Sequence, residues 1–278
     1  MVLIIKYDLG KSEYMSELQV LISTMDQKDY SICSKMNINS DAIVINQSDS
    51  VAYHKYSHNG FDVDFYTFRE RGLSRSRNEA LMRSSADIIC IADDDMVYTD
   101  TYREDILNEF SKHPEADAIA FNVESINVRN LTSITRYERI GKIEYKEYCS
   151  VNLAFRREKL MYKNMSFNTM FGSGSEYSCG EDTIFMKELM DKGFHIYKSP
   201  LKIAKIDMSG STWFNGYNEK FFHDKGALIG ATYPRLSYIL VLLQSLKNSK
   251  RRLSSYRHFR KVFDWYMKGL KDYKKKVK

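Results

Sequence analysis

The chain has 278 residues, enough for one large α/β domain or two small ones, and its 43% hydrophobic and 28% charged residues are ordinary for a globular protein. Three prolines, four scattered cysteines without a CxxC pair and no apolar run near membrane-spanning length exclude a Pro-rich linker, a cysteine zinc site and a transmembrane protein. The net charge of +6 is uneven: residues 247–278 carry 13 Lys or Arg against two acids, Asp264 and Asp272, while the rest carries 29 against 34. Such a tail seeks an anionic partner, a membrane surface or a nucleic acid. The opening "MVLIIKYDLGKSEY" is too short in its apolar part for a signal peptide, so a reducing cytoplasmic setting is expected, with Cys90 a buried thiol.

In chain order, "LQVLIST" (18–24) and "DAIVINQ" (41–47) read as buried strands, and "DVDFYTF" (62–68) alternates like a third. "SRSRNEALMRSSA" (74–86) reads as a helix capped by Ser74 or Ser76, with Ala80, Leu81 and Ser84 toward a sheet. "DIICIA" (87–92) is the next strand, "YREDILNEFSKH" (102–113) an amphipathic helix on Ile106, Leu107 and Phe110, and "DAIAFNVE" (117–124) another strand. "ERIGKIEYKEY" resembles hairpin material and "SVNLAFRRE" a strand. A Gly/Ser-rich loop, "FGSGSEYSCGED", leads into a helix over 181–193 with Ile184, Phe185 and Leu189 inward and Gly193 as its C′ glycine. "FHIYKSP" and "LKIAKIDM" read as two strands, "GYNEKFFHDKGALIGATY" as partly helical, "RLSYILVLLQSLKNSKRRL" as an apolar helix with basic flanks, and the end as a basic amphipathic helix. The alternation predicts an α/β fold with a mostly parallel central sheet flanked by helices, and ligands bind beyond the carboxyl ends of such strands. Thr24, Asn46, Gln47 and the run Asp93, Asp94, Asp95 stand at those ends.

Adjacent carboxylates repel unless a cation offsets them, and oxygen-only ligands suit Mg²⁺ or Mn²⁺. On an extended chain Asp93 and Asp95 share one side and Asp94 the other, so two carboxylates could reach a metal and a ribose. A second acidic pair, Glu181–Asp182, opens a helix after the glycine loop. The helix N-terminus favours an ionised carboxylate, which beside a hydroxyl acts as a general base; helix capping is the alternative role.

"GLSRSRNEALMRSSADIICIADDDM", "CGED" before an apolar helix, and "STWFNGYNEKFFHDKGAL" resemble the family-2 glycosyltransferases of the GT-A fold, among them bacterial capsule and surface-polysaccharide transferases, over roughly residues 18–232. The resemblance implies a cytoplasmic, metal-dependent, inverting enzyme that moves a sugar from a nucleotide-sugar, UDP-linked by preference, to a glycan or lipid-linked acceptor. Transferred to this chain, it implies that Thr24, Asn46, Gln47, Arg77, Asp93 and Asp94 contact the nucleotide. Asp95, with Asp93 and His223, would hold Mn²⁺ or Mg²⁺. Asp182 would be the base, with Glu181 beside the acceptor. His223 has the alternative of an ordinary surface histidine. Relatives often carry an acidic pair where Asn46 and Gln47 stand; the amides can still pair with a uracil edge, and Asp49 is a substitute. Trp213 is either an acceptor platform or a core residue.

The division implied is a transferase domain over 1–234 and a basic amphipathic helical tail over 235–278. "YILVLLQSL" (238–246) is too short to span a bilayer; it lies either in a membrane interface, with the following cations on anionic headgroups, or in the core. No aromatic stacking platform supports nucleic acid. Two alternatives stay open: a sugar-nucleotide nucleotidylyltransferase, disfavoured because "STMDQKDYS" lacks a glycine-rich phosphate loop, and an inactive member that binds a partner through its tail.

Overall fold

Continuous apolar runs fold as strands buried on both faces. In the computed structural model, which describes residues 17–127, 133–141, 143–207, 209, 216–253 and 255–277, β1 (Leu18–Met25), β2 (Asp41–Gln47) and β5 (Ile88–Asp93) are such strands. β1 runs parallel to both β2 and β5, and β2 parallel to β4 (Phe61–Phe68). Alternate side chains feed two cores. Val20, Ile22, Val44 and Cys90 meet Ile32 and Cys33 of the short α1 (Ile32–Lys35), and Ile106 and Phe110 of α3 (Tyr102–Lys112). Leu21, Ile43, Ile45 and Ile91 meet Leu81 of α2 (Leu73–Arg83), and Phe185 and Leu189 of α5 (Glu181–Asp191). Each such side chain contributes about 1.5–3 kcal/mol. Gly193 takes φ 74° just after α5, as its C′ position requires.

The sheet is mixed, with a parallel centre and antiparallel additions. β3 (Ala52–His58) forms a hairpin edge on β4, turned at Asn59–Gly60 with φ 52° and 85°. β9 (Leu153–Arg156) lies antiparallel between β5 and β7 (Ala118–Ser125), and α4 (Arg157–Tyr162) follows it. β7 runs parallel to β10 (Ile196–Ile206), which also pairs antiparallel with β6 (Met96–Tyr98) and β8 (Glu138–Arg139). The two strands expected around Pro200 are therefore one, with register shifts between Lys198 and Ala204 that accommodate the proline. The expected hairpin at 138–148 is instead β8 and a 3₁₀ turn, Glu144–Glu147.

α6 (Glu219–Thr232), α7 (Ser237–Leu253) and α8 (Phe259–Lys276) complete the chain. α6 and α8 approach so closely that a Cβ at Gly226 would strike the Tyr266 carbonyl and one at Gly269 the His223 carbonyl. Phe222, Val241, Val262, Tyr266 and Leu270 fill the space among the three helices.

Candidate active site

The register aligns the strand ends: Thr24 opposite Asn46, and Ser23 opposite Asp93. The three aspartates are not one extended row. β5 ends at Asp93, Asp94 and Asp95 form a turn, and β6 starts at Met96. Each carboxylate therefore takes its own direction. Asp94 accepts from the Thr24 hydroxyl at 2.5 Å, and Gln27 Nε2 donates to that hydroxyl at 2.8 Å. Asp93 turns to Arg77. Asp95 reaches solvent, yet the enclosing protein and then the charges of Asp93 and Asp94 push its carboxyl up to about 6.

Arg77 joins the two acidic motifs. Its Nη2 donates to both Asp93 oxygens at 2.9 and 3.1 Å, and its Nη1 to Asp182 Oδ1 at 3.1 Å and stands 4.0 Å from Glu181. The side chain is 1% exposed and lies over the Phe167 ring. Burial opposes its charge, but Asp93, Asp182 and Glu181 outweigh that and hold the guanidinium charged. Both of its terminal nitrogens thus serve carboxylates, and Nε has no partner.

Asp182, in the first turn of α5, also accepts from Ser150 Oγ at 2.6 Å and Ser150 N at 3.2 Å. It does not cap the helix; Gly180 occupies that position with φ 114°. Burial, and then the neighbouring Asp182, push Glu181 up to about 7. The glycine loop before α5 is pinned rather than loose. The Ser173 carbonyl accepts from Leu73 N at 2.9 Å, and the Phe171 carbonyl from Ser74 Oγ at 2.6 Å. Gly174 packs on Gly72, where an added Cβ would stand 3.2 Å from backbone nitrogen. From the other side, the fully buried Asp224 of α6 accepts from Ser178 N at 2.9 Å and Ser178 Oγ at 2.7 Å. Burial opposes its charge, but Lys220 and Ser178 keep its carboxyl below the usual range.

Several of the expected site residues are used by the protein itself. Asn46 and Gln47 are buried, and their amides are used by the protein. Asn46 Oδ1 accepts from Gln27 N at 3.0 Å, and Gln47 Oε1 from Gly72 N at 2.7 Å. They fix loops at the strand ends. Ser74 and Ser76 do not cap α2: Ser74 bonds Phe171 and Ser76 bonds Ser23 at 2.9 Å. His223 does not join the aspartate turn. Its ring nitrogens face Asp224 at 3.2 Å and Asp272 of α8 at 3.0 Å, so it ties α6 to α8. Trp213 lies outside the described residues. Among the described residues, no three His, Cys, Asp or Glu side chains form a ready cation cage.

Three features were missed. Ser150 carries no motif. Asp207 directly follows β10 beside β6, where its N–H donates to the Asp95 carbonyl at 3.0 Å and its charge adds to the field on Asp95. Arg71 reaches Asp26 with both terminal nitrogens at 3.2 Å and the Gln47 carbonyl at 3.0 Å, bridging the β1 and β2 ends. A cleft of about 550 Å³ between α2 and α4, lined by Asn78, Met82, Met161 and Met165, includes none of the site carboxylates.

The model of the glycosyl transferase family 2 matches residues 17–175, more than half of the chain; that span holds Arg77 and the three aspartates and ends before Glu181. None of the curated protein sequences matches. Among solved structures, residues 1–349 of S. aureus TarS with UDP-GlcNAc align at TM-score 0.60 and 13% identity, over 93% of this chain and 92% of that one. The same protein with UDP aligns at 0.59 and 12%, over 91% and 81%. The longer S. aureus TarS structure aligns at 0.58 and 13%, over 92% of this chain and 55% of that one. At such identity the likeness is one of fold.

Proposed function

The chain belongs to glycosyl transferase family 2 and has its GT-A fold, and we propose that it moves a sugar from a UDP-sugar to a hydroxyl of a glycan or lipid-linked acceptor in bacterial surface-polysaccharide synthesis, in the cytoplasm and with inversion. The observation that carries the reading is the buried Arg77, which brings the Asp93 turn and the Asp182 helix into one site. The choice of UDP is supported by TarS, whose structures hold UDP-GlcNAc and UDP. The family match sets the nucleotidylyltransferase alternative aside.

In this reading Asp182 takes the acceptor proton. Arg77 and Ser150 fix its Oδ1, leaving the other oxygen as the receiving atom. The acceptor oxygen attacks the anomeric carbon as the proton moves to Asp182, the bond from that carbon to the diphosphate breaks, and the nucleotide leaves with the electron pair. One displacement inverts the centre. The donor's diphosphate would lie at the aspartate turn, with its nucleoside toward Thr24 and the Asp26–Arg71 pair. Hard carboxylate oxygens suit Mg²⁺ or Mn²⁺, and Asp95, exposed at the turn with Asp93 beside it, would hold such an ion together with the donor's diphosphate. Such an ion supplies positive charge against that building on the leaving diphosphate.

Melting curves with UDP, GDP, CDP and dTDP, each with and without Mn²⁺, test the donor side. A nucleotide at 100 times its Kd stabilises by about 2.7 kcal/mol, and a Mn²⁺-dependent shift is expected with UDP. Asp182→Asn should keep that shift and lose transfer by about a hundredfold or more; transfer near the wild-type rate would remove Asp182 as the base.

A further inference from the structure

α7 is built inside out. The residues it buries are Ser237, Val241, Ser245 and Ser249, a stripe at four-residue spacing. The serine hydroxyls bond within the segment, to the carbonyls of Pro234 (2.9 Å), Val241 (2.7 Å) and Ser245 (2.7 Å), so their burial leaves no unmet polar group. The small stripe lets α7 lie close on α8, where Asn248 Nδ2 also donates to Tyr266 OH at 3.0 Å. The opposite face carries Ile239, Leu243 and Leu246, with Leu236 just before the helix, Leu242 on its flank and Tyr238 at the α8 side; all are exposed, Ile239 60% and Leu243 54% accessible. An apolar strip of this kind on the outside of a folded chain marks an interaction surface.

Cations stand at both ends of the strip. Lys247 and Lys250 continue the same helical face beyond Leu243 and Leu246. At the other end, Lys274 of α8 lies 4.2 Å from the Tyr238 ring centroid, followed by Lys275 and Lys276. A second copy of this chain would set like charges against these lysines, whereas an anionic surface neutralises them while the leucines enter its apolar layer. Among the described residues no helix is long and apolar enough to cross a membrane, so the contact is in the plane of the surface.

We infer that the exposed face of α7, with Lys247, Lys250 and Lys274 at its ends, docks the protein on an anionic lipid surface. The inference goes beyond the donor site and is read by binding rather than transfer, so its failure and that of the proposed chemistry are separable. The full chain is mixed with phosphatidylcholine vesicles, with or without about 30% phosphatidylglycerol, and sedimented. Wild type should follow the anionic vesicles and largely ignore the neutral ones. Leu243→Asp should weaken that partition about tenfold or more, Leu246→Asp on the next turn should do the same, and the Lys247→Glu/Lys250→Glu pair should weaken it most at low salt. The UDP-induced melting shift should stay unchanged in all of them. Absence of wild-type binding to anionic vesicles overturns the inference, as does binding unaltered by Leu243→Asp. A lipid-free dimer that Leu243→Asp converts to monomer in light scattering also overturns it and assigns the face to a second copy.

Discussion

The strand-end site and α7 treat polarity in opposite ways. At the strand ends the charge brought inside is answered, Arg77 by Asp93 and Asp182, and at the surface Asp94 accepts from Thr24. On α7 small hydroxyls are inside, answered by their own helix, and the leucines are outside. Burial of charge is costly unless geometry repays it, so the first region holds one arrangement of acids against strong forces. Exposure of leucines costs little in the folded chain and serves only what touches it. The first region should therefore respond steeply in stability to substitution, and the second in association.

The steepest case is Arg77. Arg77→Ala leaves Asp93 and Asp182 facing a buried void, and removing one partner of a buried ion pair costs about 3–5 kcal/mol. Asp93 and Asp182 keep 30% and 23% of their side-chain surface, so the lower end of that range is expected in urea unfolding. The contrasting control is the exposed Lys268–Glu219 pair at 2.9 Å, where Lys268→Ala should leave the urea midpoint close to that of the wild type. Equal losses would break the comparison by removing the special status of the buried arginine.

Next is the contact of α6 with α8. Gly269→Ala puts a methyl group into the His223 carbonyl, and overpacking of this kind costs about 1–3 kcal/mol. Because Asp224 of α6 holds Ser178 in the loop before Asp182, the shift should reach the site. A lower melting temperature together with slower transfer is expected. A full loss of stability with an unchanged rate would show that the helices do not position the loop.

Much of this was legible in the sequence because burial on both faces writes an unbroken apolar run. β1, β2 and β5, and the helices α2, α3 and α5, lie within a few residues of their expected spans. β3 was not, since "AYHKYSH" is an edge strand without apolar alternation. The antiparallel β9 was read longer than it is, because a 3₁₀ turn at Ser150–Asn152 leads into it and α4 begins at once at Arg157. At the site, the acids stood out as clusters, but their pairing did not: Arg77 meets partners 16 and 105 residues away, and no local pattern encodes that distance. The internal bonds of the buried Asn46 and Gln47 amides were not legible for the same reason, since a polar residue at a strand end looks alike whether it serves a ligand or a loop.

The smallest expected effect sharpens the account of the buried acids. Glu181 is held above its ordinary 4.5, at about 7, first by burial and then by Asp182. The folded carboxyl thus keeps its proton where the unfolded one loses it. Its contribution to stability is complete below pH 4.5 and is lost as pH rises through about 7. Glu181→Gln, uncharged at every pH, should melt close to wild type at pH 4.5 and above it at pH 8, by about 1 kcal/mol. A melting difference that stays constant between those two values would mean that Glu181 ionises freely, and that Arg77 alone compensates both acids of the pair. The strand-end site would then set three carboxylates, Asp93, Asp182 and Glu181, against one guanidinium without the proton that burial leaves on Glu181.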